Sequence, residues 1–211
     1  MKFWIFDLDN TLHNANPHIF PHINRSMTAY LQQHLKLDEE AASALRVHYW
    51  QRYGATLTGM MRHHAVRPDH FLWHTHQFPQ LPQMVLREPR LRHILKKLPG
   101  RKLVFSNAPL HYVQAVLELL RVEDLFDGVF AIEQARYQPK PKLAGFMRLL
   151  RQYRLNPAKC IMVEDSAENL QSAKQLGMKT VWVTAMQRKP AYVDVKIKDV
   201  TELSRLFGRI K

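Results

Sequence analysis

Three short apolar runs in this 211-residue chain end in side chains that can do chemistry. Phe3-Trp4-Ile5-Phe6 leads into Asp7-Leu8-Asp9-Asn10-Thr11, Leu103-Val104-Phe105 into Ser106-Asn107, and Cys160-Ile161-Met162-Val163 into Glu164-Asp165. A further candidate, Lys140, stands in Gln138-Pro139-Lys140-Pro141, just ahead of a helical pattern. Side chains two apart on a strand point the same way, so Asp7 and Asp9 leave the strand together. Two carboxylates held that close raise each other's pKa unless a cation sits between them. A carboxylate can accept a phosphoryl group covalently. Mg²⁺ prefers carboxylates, water and phosphate oxygens, and a hydroxyl and an ammonium can stabilise the oxygens in transfer. Phosphoryl transfer is the chemistry that suits this set.

The elements that must hold these residues follow from periodicity. Short, wholly apolar runs read as buried parallel strands, and open α/β sheets bind ligands at the carboxyl ends of such strands. Between residues 16 and 84 no strand pattern occurs. Helical spacing runs from about Ile23 to Leu35, then from Ala41 to Tyr53 behind an Asp38 cap, with Gly54 as the stop. Thr56 to His64 and Asp69 to Gln77 read as two further short helices. Phe78-Pro79-Gln80-Leu81-Pro82 reads as a linker back. From Pro89 onward, helical and strand patterns alternate, the signature of βα units. Further strands are expected at Val129-Phe130-Ala131, Thr180 to Val183 and Val193 to Ile197, with a terminal helix from Val200 to Leu206. The expected fold is α/β: a Rossmann-like three-layer core formed by residues 1–15 and 85–211, interrupted by a helical insert of four helices at 16–84.

Composition narrows the function classes. No apolar run approaches the ~20 residues that cross a bilayer, and Asp7 and Asp9 interrupt the first apolar stretch too early for a secretory pattern. One cysteine, Cys160, permits no internal disulfide and fits a reducing compartment, so the cytoplasm is expected. The formal charge of +13 favours anionic partners, either a phosphorylated small molecule or nucleic acid. The Lys and Arg residues are scattered rather than gathered into one run, which favours the small molecule over a nucleic-acid face.

Each motif also has a plainer reading. Asp7 and Asp9 taken alone fit a capped strand-end turn. Ser106 and Asn107 taken alone fit a cap for the helix after Pro109. Lys142 rivals Lys140 at two residues' distance. His70 and His74 fall at the i, i+4 spacing that can bind zinc, with His63, His64 and His76 nearby. A chain with 12 histidines produces such pairs by chance, and cap packing or surface exposure is the expected role. Cys160 opens a buried strand and reads as core.

Taken together and in order, Asp7-Leu8-Asp9-Asn10-Thr11, Ser106, Lys140 and Val163-Glu164-Asp165-Ser166 resemble the four motifs of the haloacid dehalogenase (HAD) superfamily, the first being Asp-x-Asp-x-Thr. The resemblance spans nearly the whole chain. It implies Asp7 as nucleophile and Asp9 as general acid and then base. Thr11 would orient the loop, and Ser106, with Asn107 beside it, would bind phosphate. Lys140 would neutralise Asp7 and phosphate. A Mg²⁺ site would be made by Asp7, Asp9 through its carbonyl and Asp165, with Glu164 adjacent. The second Asp resembles the phosphatase branch, since the dehalogenase branch lacks it. The insert resembles a C1 cap. Within it, Tyr53-Gly54-Ala55-Thr56-Leu57-Thr58-Gly59-Met60 resembles the pyrimidine 5'-nucleotidase type of subfamily I, with Ala55 and Gln77 departing from that pattern. The resemblance implies a nucleoside 5'-monophosphate as substrate, with Tyr53, Thr56 and Arg62 as contacts. A sugar phosphate or phosphoglycolate is the alternative within enzymes, and a basic nucleic-acid-binding protein with a vestigial site the alternative outside them.

Overall fold

The computed structural model describes residues 1–206. In chain order it forms β1 (Phe3–Phe6), α1 (Ile19–Leu35), α2 (Glu39–Tyr53), α3 (Thr56–His64), α4 (Pro68–Thr75), α5 (Leu81–Met84), α6 (Leu91–Lys97), β2 (Arg101–Phe105), α7 (Leu110–Leu120), β3 (Gly128–Phe130), α8 (Leu143–Gln152), β4 (Cys160–Glu164), α9 (Ala167–Gln175), β5 (Lys179–Val183) and β6 (Val195–Ile197). Two compact units result. One joins Met1–Asn14 to Val85–Lys211, of which residues 207–211 lie outside the described set; the other is Ala15–Met84.

The first unit is built on one parallel sheet of six strands in the order β3-β2-β1-β4-β5-β6. This is the α/β, Rossmann-like class expected from the alternating pattern. Every residue of β4 is buried, as a strand covered on both faces requires. β1 lies mid-sheet, where the strand order reverses, and open α/β sheets bind ligands at that point. Phe6 stands opposite Val104 on β2 and Val163 on β4. The next row of the sheet therefore lines up Asp7, Phe105 and Glu164, and the Asp7 N–H donates to Val163 O at 2.9 Å.

The second unit is helical. Asp38 caps α2 by accepting from the Ala41 N–H at 2.8 Å, and Gly54 ends the helix at φ +78°, a conformation glycine adopts without strain. α1 begins at Ile19 rather than near Ile23. Pro21 falls in its first turn, where no intrahelical donor is needed, so it extends the helix instead of ending it. The Phe78 to Pro82 stretch is no plain linker either, because Leu81 opens α5. Gly59 lets α3 lie against α2: a Cβ there would stand 2.1 Å from Tyr49 Cγ. At the chain's end, β6 is shorter than expected, and Val200–Leu206 winds as 3₁₀ rather than α-helix. No helix among the described residues is long and apolar enough to cross a membrane.

Candidate active site

Lys140 reaches the row set up by the sheet register. Its ammonium donates to Asp7 Oδ1 at 2.7 Å, Glu164 Oε2 at 2.7 Å and Phe105 O at 2.8 Å, satisfying all three protons. Only 2% of its surface is exposed, and the rival Lys142 makes none of these bonds. Burial pulls the Lys140 pKa down, but the attraction of Asp7 and Glu164 outweighs it and the amine is held charged. Asp7 is pushed up from the ordinary carboxylate range, first by burial and then by the charge of Glu164; Lys140 opposes both. Glu164 is likewise raised by burial, with Lys140 again opposing.

Lys140 is placed through its backbone. The Asn107 carboxamide donates to Lys140 O at 3.0 Å and accepts from the Lys140 N–H at 2.7 Å. The resemblance casts Asn107 as a phosphate contact, yet both polar atoms of its side chain are engaged with Lys140. Nor do Ser106 and Asn107 cap α7. Glu133 does so, its two carboxylate oxygens each 3.1 Å from the Leu110 N–H. Ser106 Oγ accepts from the Ala108 N–H at 3.0 Å, which leaves the hydroxyl proton to be donated.

Asp7, Glu164 and Asp165 form the one group of metal-ligating side chains among the described residues whose ligand atoms all lie within 4.8 Å of one another. The set fits a hard divalent cation. Its donors are carboxylate oxygens, and three carboxylates against one ammonium leave an excess of buried negative charge that such an ion offsets. The Asp165 pKa is raised chiefly by burial, while hydrogen bonds from its neighbours, Asn10 included, act against the rise. Its backbone is fixed by the Trp182 indole, which donates to Asp165 O at 2.8 Å. Ser166 caps α9 immediately afterwards. Among the described residues the histidines form no such group. Some of those in the helical unit pair with tyrosines instead: Tyr30 with His70 and Tyr49 with His64, each at 2.8 Å.

Asp9 stands apart from that carboxylate group. The chain turns sharply after β1: Leu8 O accepts from the Thr11 and Leu12 N–H groups, and Asn10 takes φ +60°, a left-handed geometry Asn tolerates. The turn sets Asp9 against His13, whose Nε2 lies 3.0 Å from Asp9 Oδ1, and Tyr112 Oη donates to the same oxygen at 2.6 Å. Burial and the Asp9 charge hold the Tyr112 pKa far above that of a free phenol, so it stays a donor. Neither partner is evident from the sequence. His13 sits four residues after Asp9, a spacing that hints at contact only once the turn is known. Tyr112 reads as one more residue on the buried face of α7.

The remaining candidates take other places. Thr11 is buried, and its Oγ1 has no hydrogen-bond partner among the described residues. Thr56 is also buried and donates to Arg46 O at 3.1 Å within the helical unit, a bond that occupies the hydroxyl expected to meet substrate. Tyr53 meets His63 Nε2 at 2.7 Å, and the exposed Arg62 guanidinium lies 5.2 Å from the Tyr53 ring centroid, a cation–π pair.

Sequence comparison places the chain in a family. Residues 4–183 match the haloacid dehalogenase-like hydrolase family, and the chain belongs to it. It is 26% identical over 194 residues to phosphate metabolism protein 8 of Saccharomyces cerevisiae, covering 84% of this chain and 60% of that protein. To hexitol phosphatase B of Escherichia coli K12 it is 30% identical over 103 residues, 47% of this chain and 46% of that one. The chain thus spans about half to three-fifths of the length of these curated relatives. Among solved structures, an HAD phosphatase from Thermococcus onnurineus superposes with a TM-score of 0.71 at 20% identity, covering 99% of this chain and 98% of that one.

Proposed function

We propose that the protein hydrolyses a small phosphate monoester through a phosphorylated Asp7. The observation that carries this reading is the single Lys140 ammonium shared by Asp7 and Glu164, beside a third carboxylate, Asp165. Asp7 attacks phosphorus, and the bond to the leaving oxygen breaks. Asp9 gives that oxygen its proton, then takes one from the water that attacks the phosphorylated Asp7, releasing inorganic phosphate. The Ser106 hydroxyl donates to a phosphoryl oxygen, and Lys140, its three protons on Asp7, Glu164 and Phe105 O, offsets the negative charge of Asp7 and the phosphoryl group. Asp7, Asp165 and the Asp9 carbonyl would hold Mg²⁺, which supplies charge neutralisation for the incoming phosphate when bound.

The preferred substrate is a nucleoside 5'-monophosphate, pyrimidine before purine, on the strength of the Tyr53 to Met60 sequence. A sugar or sugar-alcohol phosphate is the second reading, favoured by the similarity to hexitol phosphatase B. In this proposal the helical unit is the C1 cap and carries the substrate choice, with Tyr53 and Arg62 as contact candidates. A cytoplasmic enzyme of nucleotide metabolism is the matching setting. The test is turnover of an aryl phosphate with Mg²⁺, which Asp7→Asn abolishes, followed by a screen across nucleotides and sugar phosphates. Folded wild type that turns over no phosphate ester rejects the phosphatase reading. Pyrimidine monophosphates no better than ribose phosphate reject the nucleotide preference.

A further inference from the structure

An aspartate carboxyl rotates through a broad, shallow torsional well, so an Asp that must pass a proton to one particular atom needs its plane fixed. Asp9 is fixed from two directions. Tyr112, 103 positions away in sequence, donates its hydroxyl to Oδ1 at 2.6 Å. His13 approaches the same oxygen with Nε2 at 3.0 Å. With its proton on Nε2 the His13 ring donates to Oδ1, an oxygen that accepts from Tyr112 as well; the other ring nitrogen, Nδ1, is buried with no hydrogen-bond partner among the described residues. Both partners are packed inside the protein: the His13 ring is fully buried, and Tyr112 has no exposed surface. The backbone supports the pair as well, since Asp9 and His13 also form an isolated β-bridge. Two donors on one oxygen fill both of its lone-pair directions and leave the other oxygen, Oδ2, open to reaction.

We propose that His13 and Tyr112 are positioning residues for Asp9: they hold Oδ1 so that Oδ2 alone exchanges the proton. This rests on the phosphatase reading given above. In the first half-reaction Asp7 forms its bond to phosphorus while the bond from phosphorus to the leaving oxygen breaks. That oxygen keeps the electron pair and receives the Oδ2 proton, and Asp9 is left as the carboxylate held by its two donors. Neither His13 nor Tyr112 touches the reacting atoms. Their contribution is the orientation of the group that does, and sub-ångström placement of a catalytic group decides rate.

The inference is tested with two esters of nearly the same shape, phenyl phosphate and p-nitrophenyl phosphate. Phenolate is a poor leaving group that needs the proton; nitrophenolate departs with little help. The readout is kcat/KM, which reports steps up to departure of the first product and so leaves out the attack of water. Tyr112→Phe and His13→Leu are expected to lower kcat/KM for phenyl phosphate by about tenfold to a hundredfold, within the range of general acid catalysis. The nitrophenyl ester should change only a few-fold. His13→Gln, which keeps a side-chain N–H, should retain most of the phenyl phosphate activity. Urea midpoints near wild type confirm that each variant is folded. Equal losses on both esters, or no loss on either, overturn the positioning role while the phosphatase reading stands. Folded wild type that cleaves neither ester overturns the phosphatase reading, and the inference with it.

Discussion

Lys140 and Asp7 stand 133 positions apart in sequence, and their side chains meet at 2.7 Å inside the protein. Glu164 shares the same ammonium, so removing Lys140 leaves two buried carboxylates without their partner. Lys140→Met is expected to cost about 3–5 kcal/mol, as loss of one member of a buried ion pair typically does. The cost should shrink in mildly acidic buffer, where the orphaned carboxylates can protonate. Urea unfolding at two pH values checks this, and activity should be lost at both.

Asn107 acts on the same lysine from the other side, through the two backbone bonds of Lys140. Asn107→Ala removes both and is expected to destabilise the fold by about 1–3 kcal/mol. If Asn107 serves to place Lys140, kcat falls with KM little changed. A rise in KM with kcat intact would make Asn107 a substrate contact instead.

Burial raises the pKa values of Asp7 and Glu164, so the folded protein binds their protons more tightly than the unfolded chain does. Such groups contribute stability that is fully present below the ordinary carboxylate range, about pH 4, and is lost as pH rises toward their folded values. Mg²⁺ competes with those protons for the same oxygens. The increase in Tm on adding Mg²⁺ should therefore be larger at slightly alkaline pH than at mildly acidic pH. Equal increments at both would show that the ion binds elsewhere.

Much of the core was legible because its strands are so short and so apolar. A buried run such as Cys160 to Val163 has few alternative folds, and a carboxylate directly after it has no packing purpose. Lys140 was legible only through motif order, since nothing local to Pro139-Lys140-Pro141 points to Asp7. His13 and Tyr112 were not legible at all. Their meeting on Asp9 depends on the turn after β1 and on where α7 docks, and both are set by tertiary packing. The start of α1, expected near Ile23, lies at Ile19 for a local reason: Pro21, which would end a helix from within, is accommodated in its first turn.

The helical unit offers its own check. A methyl group at Gly59 would overlap the Tyr49 ring. Gly59→Ala is expected to cost about 1–3 kcal/mol by overpacking, despite alanine's better helix propensity. A thermal melt decides the sign.

Cys160 is buried, and its thiol is pushed up to about 11 by burial. A thiol-specific reagent at mildly alkaline pH should leave the native protein unlabelled and modify it fully in denaturant. Rapid labelling of native protein would place Cys160 outside the core.

The most direct measurement is to trap the phosphorylated residue. Wild type turning over an aryl phosphate with Mg²⁺ is quenched with borohydride, which reduces an acyl phosphate to the alcohol, and the peptides are then weighed. The account predicts homoserine at position 7 and nowhere else, and no such product from Asp7→Asn. Reduction at another carboxylate, or steady hydrolysis with residue 7 never modified, would contradict it.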